Sequence, residues 1–150
     1  MECSTVLTPI GYLRVCSDGT VDFADRPSGS TGPDTAAGRL WTQYRSHLTL
    51  PAPQTDISTF SGRVLQALHS IPQGQTVTYA ALAAMAGNPK AARAAARIVA
   101  RNRMALIFPC HRVVPATGGY GNYRWGPERK QWLIEYEKKQ TQIHTNDQKK

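Results

Sequence analysis

Residues 87–101 predict a tight turn followed by a helix: they read Gly87-Asn88-Pro89-Lys90-Ala91-Ala92-Arg93-Ala94-Ala95-Ala96-Arg97-Ile98-Val99-Ala100-Arg101. Glycine ends helices, asparagine caps them, and proline suits their first position, so the helix should start at Pro89 and run to about Arg101. Before this turn, Thr78 is a predicted N-cap for a helix through Ala86. Two short helices joined by such a turn are typical of a helix-turn-helix.

The second of these helices carries a basic face. Arg93, Arg97 and Arg101 are spaced four residues apart, which places them on one side of a helix, and Lys90 lies one turn earlier. Most other positions, Ala92 among them, are alanines, whose small side chains let the backbone approach a surface closely. We therefore expect these five residues to contact DNA. The alternative is a solvated alanine-rich helix whose arginines keep the protein soluble.

The charge of the whole chain favours the same partner. Its 150 residues have a formal net charge of +8. Residues 1–50 hold four basic and five acidic side chains, whereas residues 51–150 hold fourteen basic and five acidic ones, so the second region carries the entire excess. Such a concentration indicates a polyanionic partner, nucleic acid first, although a merely soluble basic surface would have the same composition.

Composition also excludes several classes. No apolar run approaches the roughly 20 residues of a membrane span, and the first residues lack the pattern of a secretory signal. We expect no membrane partner and a cytoplasmic location, on the nucleoid in a bacterium or in the nucleus of a eukaryote. Cys3, Cys16 and Cys110 are too few for a disulfide framework and leave at least one thiol. Without CxxC or HxxxH spacing, we expect no metal and no cofactor.

The remaining pattern predicts two lobes of an α/β protein of the α+β kind. A small supporting lobe, residues 1–55, should hold a short sheet, with a hairpin of strands at about 11–16 and 20–23, a loop at 26–38 and a helix at 40–48. A mainly helical lobe, residues 56–140, should carry the helix-turn-helix and follow the break at Pro51-Ala52-Pro53.

Within this second lobe, apolar spacing predicts an amphipathic helix at about 60–70, and residues 104–108 are a candidate buried strand. Residues 117–126 form a loop rich in glycine and aromatics. A last helix should span 127–139 with Trp132, Leu133 and Tyr136 facing inward. Residues 141–150 are expected to be a polar, frayed tail.

One cysteine has the setting of a reactive group. Cys110 follows the candidate strand and a proline, and His111 beside it can raise the ionised fraction of the thiol. A histidine acting as base needs a third group to fix its tautomer, and the downstream candidates are Glu128, Glu135, Glu137 and Asp147, among which spacing does not choose. The alternatives are a small buried hydrophobic residue, a zinc ligand, a cysteine protease and a phosphatase. The last three lack their usual spacings.

The string Pro109-Cys110-His111-Arg112-Val113 resembles the active-site signature of the O6-alkylguanine-DNA alkyltransferases, or methylated-DNA–protein-cysteine methyltransferases. Four further segments resemble the same family in the same order, and the resemblance covers about residues 60–137. The segments are Phe60-x-x-Arg63-Val64 with Ile71-Pro72-x-Gly74-x-Thr76-x-x-Tyr79, then Gly87 to Ala94, then Gly121-Asn122-Tyr123-Arg124-Trp125-Gly126, and Lys130-x-Trp132-Leu133-x-x-x-Glu137.

The resemblance implies a single-turnover methyltransferase that repairs DNA by direct reversal. Cys110 would take the alkyl group of O6-alkylguanine irreversibly, so that each molecule acts once. His111 would act through a bound water as the base, and Glu137 would orient it. Asn102 would be the hinge between the recognition helix and the cysteine turn.

The resemblance also implies how the base is reached, since the alkyl group lies inside the stack and must be flipped out. A monomer would bind double-stranded DNA through the minor groove, and Arg93 would fill the hole left by the base. Tyr79 would press on the target phosphate. Tyr123 and the backbone at Arg124 would form a lid, and the carbonyls of Cys110 and Val113 would accept the exocyclic amine.

Several positions depart from the family pattern. Arg103 stands where a proline commonly follows the hinge, and Arg124 replaces a serine of some relatives. Ala96 stands where the family usually has glycine or another small residue, and it is acceptable there but tighter than glycine. Some relatives bind zinc in the first lobe, but Cys3, Cys16 and the histidines here do not match such a site. Two other classes remain as alternatives: an alkyltransferase-like module that recognises damage without repairing it, and a helix-turn-helix regulator in which Cys110 only packs in the core.

Overall fold

The computed structural model describes the backbone of residues 2–46 and 49–148 and the side chains up to residue 142. The chain divides into two compact units. The first comprises residues 1–53 together with 102–108, and the second comprises residues 54–101 together with 109–150. The sheet of the first unit and the helices of the second confirm the α+β class with a helix-turn-helix.

The first unit is built on a four-stranded sheet of order β3-β2-β1-β4. Strands β1 (Cys3–Thr8), β2 (Gly11–Cys16) and β3 (Val21–Ala24) are antiparallel neighbours, while the two-residue β4 (Ser30–Thr31) pairs parallel to β1. The predicted β2–β3 hairpin is therefore confirmed. Strand β1 was not predicted because it buries Ser4, Thr5 and Thr8 rather than an apolar face.

Helix α1 (Ala36–Arg45) packs on β1 and β2. It begins four residues before the predicted start, inside the predicted loop, because Thr35 caps it and accepts a hydrogen bond from the Gly38 amide. A side chain at Gly38 would collide with the backbone of Pro33, so this helical position requires glycine. Because glycine is typical of loops, the sequence around it was predicted to be one. The predicted end of this helix falls on residues 47–48, outside the described part of the chain.

A disulfide joins the first two strands. Cys3 and Cys16 are direct partners in the β1–β2 register and are bonded to each other. The sequence did not predict this single bond, because only the strand register brings together two cysteines that are 13 apart in sequence. Cys110 is not part of a disulfide, which agrees with the expectation that at least one cysteine keeps its thiol.

Residues 102–108 return to the first unit as a buried loop and not as the predicted strand. Their only ladder contact among the described residues is a single bridge between Met104 and Val21. The backbone turns sharply at Leu106, whose φ is +69°, and this left-handed residue interrupts any extended strand. The apolar side chains Ala105, Leu106, Ile107 and Phe108 are all buried, so the hydrophobic run correctly indicated burial while missing the conformation.

The helix-turn-helix of the second unit consists of α3 (Tyr79–Met85) and α4 (Ala92–Ala100). Thr78 caps α3 as predicted, and its hydroxyl accepts from the Ala81 amide. Gly87, with φ of +92°, ends α3: its amide and that of Asn88 donate to the carbonyls of Ala84 and Ala83.

Helix α4 begins at Ala92, three residues later than predicted. Asn88 caps a separate turn instead of the helix: its side-chain oxygen accepts from the Lys90 amide at 3.3 Å, and its carbonyl accepts from the Ala91 amide at 3.0 Å. Residues 88–91 therefore complete the turn before the helix starts, and α4 has no side-chain cap.

Two further helices frame the second unit. Helix α2 (Phe60–Ser70) matches its prediction and is capped by Thr59. Helix α5 (Pro127–Gln148) continues past the predicted end at Lys139 and through most of the predicted tail, since no glycine or proline interrupts it. Its buried face holds Lys130, Leu133, Ile134 and Glu137.

Of the three side chains predicted to face inward, Leu133 is fully buried, whereas Trp132 and Tyr136 are buried only in part. Both side chains are half-buried and stack on each other, with ring centroids 4.9 Å apart. The apolar core of this unit includes Val64, Leu68, Leu82, Ala95, Val99, Val113 and Leu133. No described helix is long and apolar enough to cross a membrane.

Candidate active site

A short 3-10 turn holds Cys110. The turn (Cys110–Arg112) is closed by hydrogen bonds from the Arg112 amide to the Pro109 carbonyl and from the Val113 amide to the Cys110 carbonyl. It runs into β6 (Val113–Val114), which pairs in parallel with β5 (Val77–Thr78), and helix α5 packs against it. The thiol is therefore fixed on ordered backbone, and only 4% of the residue's surface is exposed.

His111 and Glu137 form a buried pair beside the thiol. The His111 ring is fully buried, and its Nε2 lies 2.6 Å from Oε2 of Glu137. Within the described residues, the other ring nitrogen, Nδ1, is buried without a hydrogen-bond partner. Of the four carboxylates that the sequence left open, the structure joins Glu137 to His111, as the family resemblance implied.

Arg112 binds the same carboxylate of Glu137, a role that was not predicted from the sequence. Its Nε and Nη2 atoms donate to the two oxygens of Glu137 at 2.8 Å and 3.1 Å, and Nη1 donates to the Ile71 carbonyl after α2. A bidentate arginine–carboxylate pair is strong and directional. The available signal was its position directly after the histidine in the signature string.

These contacts set the protonation states. Burial alone would raise the pKa of Glu137, but the charges and hydrogen bonds of His111 and Arg112 outweigh it and lower the pKa to about 2. Burial lowers the pKa of His111 below its usual 6.5, and the opposing effect of Glu137 is smaller. Because Arg112 already neutralises Glu137, the imidazole is neutral near pH 7: Nε2–H donates to the carboxylate, and Nδ1 is left as the basic atom.

Two tyrosines complete the surroundings of the thiol. Tyr79 is the first residue of α3 and half-buried, and burial together with the nearby Cys110 raises its pKa. The Tyr123 hydroxyl is buried with no partner among the described residues, and burial raises its pKa well above 10. Its ring meets that of His111 edge-on at 6.4 Å. Both phenols are therefore neutral, and the charge of Cys110 contributes to raising the pKa of each.

The predicted DNA-contacting residues form one exposed face. Arg93 and Arg97 on α4, Arg101 at its end, and Lys90 in the turn before it are all exposed, and Ala92 is half-buried. The opposite side of α4 buries Ala95 and Val99 in the core. Arg124 is also exposed: it reaches the Arg101 carbonyl at 3.5 Å and lies over the Trp125 ring. The face is thus purely cationic.

Asn102 and Val113 are buried structural positions. The Asn102 side chain donates to the Phe108 carbonyl at 2.8 Å and accepts from the Met104 amide at 3.0 Å, which braces the 102–108 loop that leads to Pro109 and Cys110. Val113 is fully buried in β6.

Arg103, which replaces the family's proline, points to the β2–β3 turn, where it pairs with Asp18 at 3.6 Å and Thr20 at 3.2 Å. The described residues contain no cluster of three or more metal-ligating side chains.

Comparison with known proteins agrees with this geometry. Residues 59–139 match the family described as 6-O-methylguanine DNA methyltransferase, DNA binding domain. The chain is 47% identical over 97 residues to the bifunctional transcriptional activator/DNA repair enzyme Ada of Escherichia coli (strain K12), a match that covers 63% of this chain but only 27% of Ada.

Two other similarities span nearly the whole chain. A probable methylated-DNA–protein-cysteine methyltransferase of Acanthamoeba polyphaga mimivirus is 46% identical over 153 residues, covering 95% of this chain and 100% of the viral protein. The crystal structure of Mycobacterium tuberculosis OGT in complex with DNA superimposes with a TM-score of 0.72 and 33% identity, covering 93% of this chain and 94% of that one. The chain belongs to the methylated-DNA–protein-cysteine methyltransferase family.

Proposed function

We propose that this protein repairs O6-alkylguanine in DNA by moving the alkyl group to Cys110. The observation that supports this most directly is the buried relay of Glu137 and His111, with its basic Nδ1 atom unpartnered, beside a cysteine thiol held on a rigid turn. An ordinary structural cysteine needs no such arrangement. The similarity to a family member crystallised with DNA supports the choice of substrate.

The reaction follows from the protonation states. Nδ1 of His111 takes the thiol proton of Cys110 through a bridging water, and the charge that develops on the imidazole is stabilised by Glu137. The thiolate attacks the alkyl carbon, the bond between that carbon and O6 breaks, and its electrons leave with the guanine. The guanine ring then takes up the proton that His111 removed from the thiol, which returns the imidazole to its neutral form. The resulting thioether has no leaving group, so each molecule transfers one alkyl group.

Access to the base requires flipping, which costs a few kcal/mol and less for a poorly paired base. Arg93 lies on the exposed face of α4 and takes the place of the flipped guanine in the stack, where a planar cation can hydrogen-bond the orphaned base. Tyr79 contacts the target phosphate, and Tyr123 with the Arg124 backbone covers the base. The carbonyls of Cys110 and Val113 receive its exocyclic amine, while Asn102 acts as the hinge.

The cationic face of Lys90, Ala92, Arg93, Arg97 and Arg101 binds the minor groove of double-stranded DNA, where small alanine side chains allow a close approach. The protein acts as a monomer in the compartment that holds the DNA. Binding through phosphates carries no sequence preference and weakens with salt, which suits a search for damage at any sequence.

The proposal is tested by intact-mass measurement after incubation with a duplex containing one O6-methylguanine. The expected product is the protein heavier by one CH2 unit, with the added methyl mapped to the Cys110 peptide. An unmodified duplex is the control. Unchanged protein mass together with normal binding to the duplex would contradict repair and favour a damage-recognition module.

Glu137→Gln should slow methyl transfer by about a hundredfold, within the usual contribution of general base catalysis. The amide removes the charge that favours a protonated imidazole and leaves Arg112 without its counter-ion. Glu135→Gln is the matched control, because Glu135 lies exposed on the same helix and, within the described part of the chain, accepts hydrogen bonds only from Tyr120 and Gln131. Single-turnover kinetics would measure both variants, and equal rates would remove Glu137 from the mechanism.

Arg93→Ala should slow repair of duplex DNA more than it slows reaction with free O6-benzylguanine, because only the duplex reaction requires flipping. Arg97→Ala is the control: it removes the same charge from the same exposed helix face. Arg97→Ala should reduce the salt dependence of DNA binding by about one phosphate contact. If Arg93→Ala slows both reactions equally, Arg93 does not fill the stack.

A further inference from the structure

Arg63 is a half-buried arginine of α2 that the proposed reaction does not use. Its Nε atom donates to the Ala86 carbonyl at 2.9 Å, and its Nη1 atom donates to the Ile57 carbonyl at 3.1 Å. The guanidinium also lies over the Phe60 ring, 5.9 Å from the ring centroid. One planar cation thus joins the end of α3 to the loop before α2, an arrangement that the single ammonium of a lysine would reproduce only in part.

The Ala86 carbonyl lies at the end of α3, where the last carbonyls of a helix have no partner within the helix. Ala86 is 2% exposed, so water has little access to this residue. Among the described residues, Arg63 is the only donor to its carbonyl. Because leaving a buried carbonyl without a donor is unfavourable, the conformation of the chain at Ala86 depends on Arg63.

The turn between α3 and α4 packs against the same guanidinium. Gly87 follows Ala86 with a φ of +92°, and a side chain there would lie 3.9 Å from the Arg63 Nε atom. Residues 88–91 complete the turn, and α4 then starts at Ala92 without a side-chain cap. Helix α2, which carries Arg63, packs against both α3 and α4. Since no side chain caps α4, the direction in which it leaves the turn depends on how the turn is held.

The loop before α2 offers Arg63 a fixed acceptor. The Asp56 carboxylate accepts hydrogen bonds from the amide and the hydroxyl of Ser58, at 3.1 Å and 2.6 Å, and these bonds hold the backbone on either side of Ile57. A side chain at Gly62 would collide with the Asp56 backbone, so the loop lies directly against the first turn of α2. Arg63 therefore ties the turn of the helix-turn-helix to an ordered part of the same unit.

We propose that Arg63 is a positioning residue for DNA binding, which sets the direction in which α4 presents Arg93 to the duplex. The inference rests on the proposed repair of DNA and adds a residue outside the cationic face. Arg63 acts through the backbone carbonyls of Ala86 and Ile57, and neither carbonyl belongs to the turn that holds Cys110. Its effect should therefore be largest in the reaction that requires a duplex.

The first test compares Arg63→Met with the wild type. The variant should bind an unmodified duplex about tenfold more weakly, the effect of losing one hydrogen bond from a charged group, and should repair a methylated duplex correspondingly more slowly. It should slow the reaction with free O6-benzylguanine much less. Arg63→Lys should recover part of the affinity, because it keeps the charge and one donor group. Loss of both reactions in equal measure, or unchanged affinity, would overturn the inference.

Two controls separate positioning from direct contact with DNA. Arg39→Met removes an exposed arginine of α1 that also donates to a backbone carbonyl, that of Asp34, and it should leave both reactions at the wild-type rate. The salt dependence of DNA binding should be the same in Arg63→Met as in the wild type, because a positioning residue neutralises no phosphate. A salt dependence reduced by about one phosphate contact would instead show that Arg63 binds DNA itself.

A second measurement reads the turn directly and uses neither DNA nor methyl transfer. The amides of Gly87, Asn88 and Ala91 donate hydrogen bonds within the turn region, and their hydrogen exchange should be about tenfold faster in Arg63→Met. Amides in the middle of α2 and α5 should keep their wild-type exchange rates. A uniform increase across the second unit, or unchanged exchange in the turn, would overturn the inference. Failure here is distinct from a failure of methyl transfer by the wild type.

Discussion

Cys110→Ser abolishes methyl transfer and leaves DNA binding close to that of the wild type. A serine hydroxyl ionises far less readily than a thiol, so the relay of His111 and Glu137 cannot generate a useful nucleophile from it. The substitution is nearly isosteric at a position that is 4% exposed, and the cationic face of α4 is untouched. Intact mass after incubation with the methylated duplex and a binding titration measure the two properties separately.

The protein supplies its own internal control for this variant. Cys3 and Cys16 are held in a disulfide, so Cys110 is the one cysteine of the sequence available as an acceptor. Methylation of Cys110→Ser at any residue would refute the assignment of the acceptor. Loss of both methylation and DNA binding would instead indicate misfolding, which circular dichroism of the same sample would reveal.

Arg112→Met lowers the free energy of unfolding by about 3 to 5 kcal/mol, the usual cost of removing one partner from a buried ion pair. It leaves the carboxylate of Glu137 buried without its permanent counter-ion and the Ile71 carbonyl without its donor. Urea denaturation would measure the loss. Arg129→Met on α5 is the control, because Arg129 is only half-buried and donates a hydrogen bond to the Trp125 carbonyl.

The same substitution shifts the pH dependence of repair. Arg112 lowers the pKa of His111, so removing it raises that pKa, and the basic form of the imidazole is lost at a higher pH. The acid limb of the methyl-transfer rate should therefore move upward in pH, and Arg112→Lys should restore it in part. A variant that is less stable but has an unchanged acid limb would show that Arg112 only supports the fold.

Acid unfolding of the wild type follows from the same relay. Glu137 has a folded-state pKa of about 2 against an ordinary value of 4.5, so its contribution to stability is complete above pH 4.5 and is lost as the pH falls toward 2. The neutral His111 acts in the same direction from pH 6.5 downward, because its folded pKa is lowered. Stability should thus decline continuously below about pH 6.5, as a series of urea titrations would show.

Local signals predicted the first helix of the helix-turn-helix well, because one residue marks its start and another marks its end. The Thr78 cap and the left-handed Gly87 lie where the sequence indicated. The start of α4 was misplaced because Asn88 and Pro89 suit a turn as well as a helix start, and only the tertiary fold decides between them. Strand β1 escaped prediction because it buries Ser4, Thr5 and Thr8 rather than apolar side chains. The 102–108 segment was mistaken for a strand because its apolar run does not show the left-handed turn at Leu106.

In the active site, too, some residues could be predicted from the local sequence and others depend on the tertiary fold. Cys110 and His111 are adjacent in sequence, so their pairing was evident from the signature string. The choice of Glu137 among four carboxylates depended on family resemblance, since 26 residues separate it from His111. Arg112 went unassigned because an arginine in a basic protein carries no mark of burial. Its role appears only when the helix that holds Glu137 packs on the turn.

The near-complete burial of Cys110 has a particular consequence for a protein whose reactive thiol is consumed by a single reaction. In a protein whose cysteine reacts only once, an oxidant or electrophile that reaches the sulfur inactivates that molecule permanently. With 4% of its residue surface exposed, Cys110 is shielded from solutes during the search for damage. Burial of the Cys110 thiol thus keeps a larger fraction of the protein molecules active until they meet a damaged base.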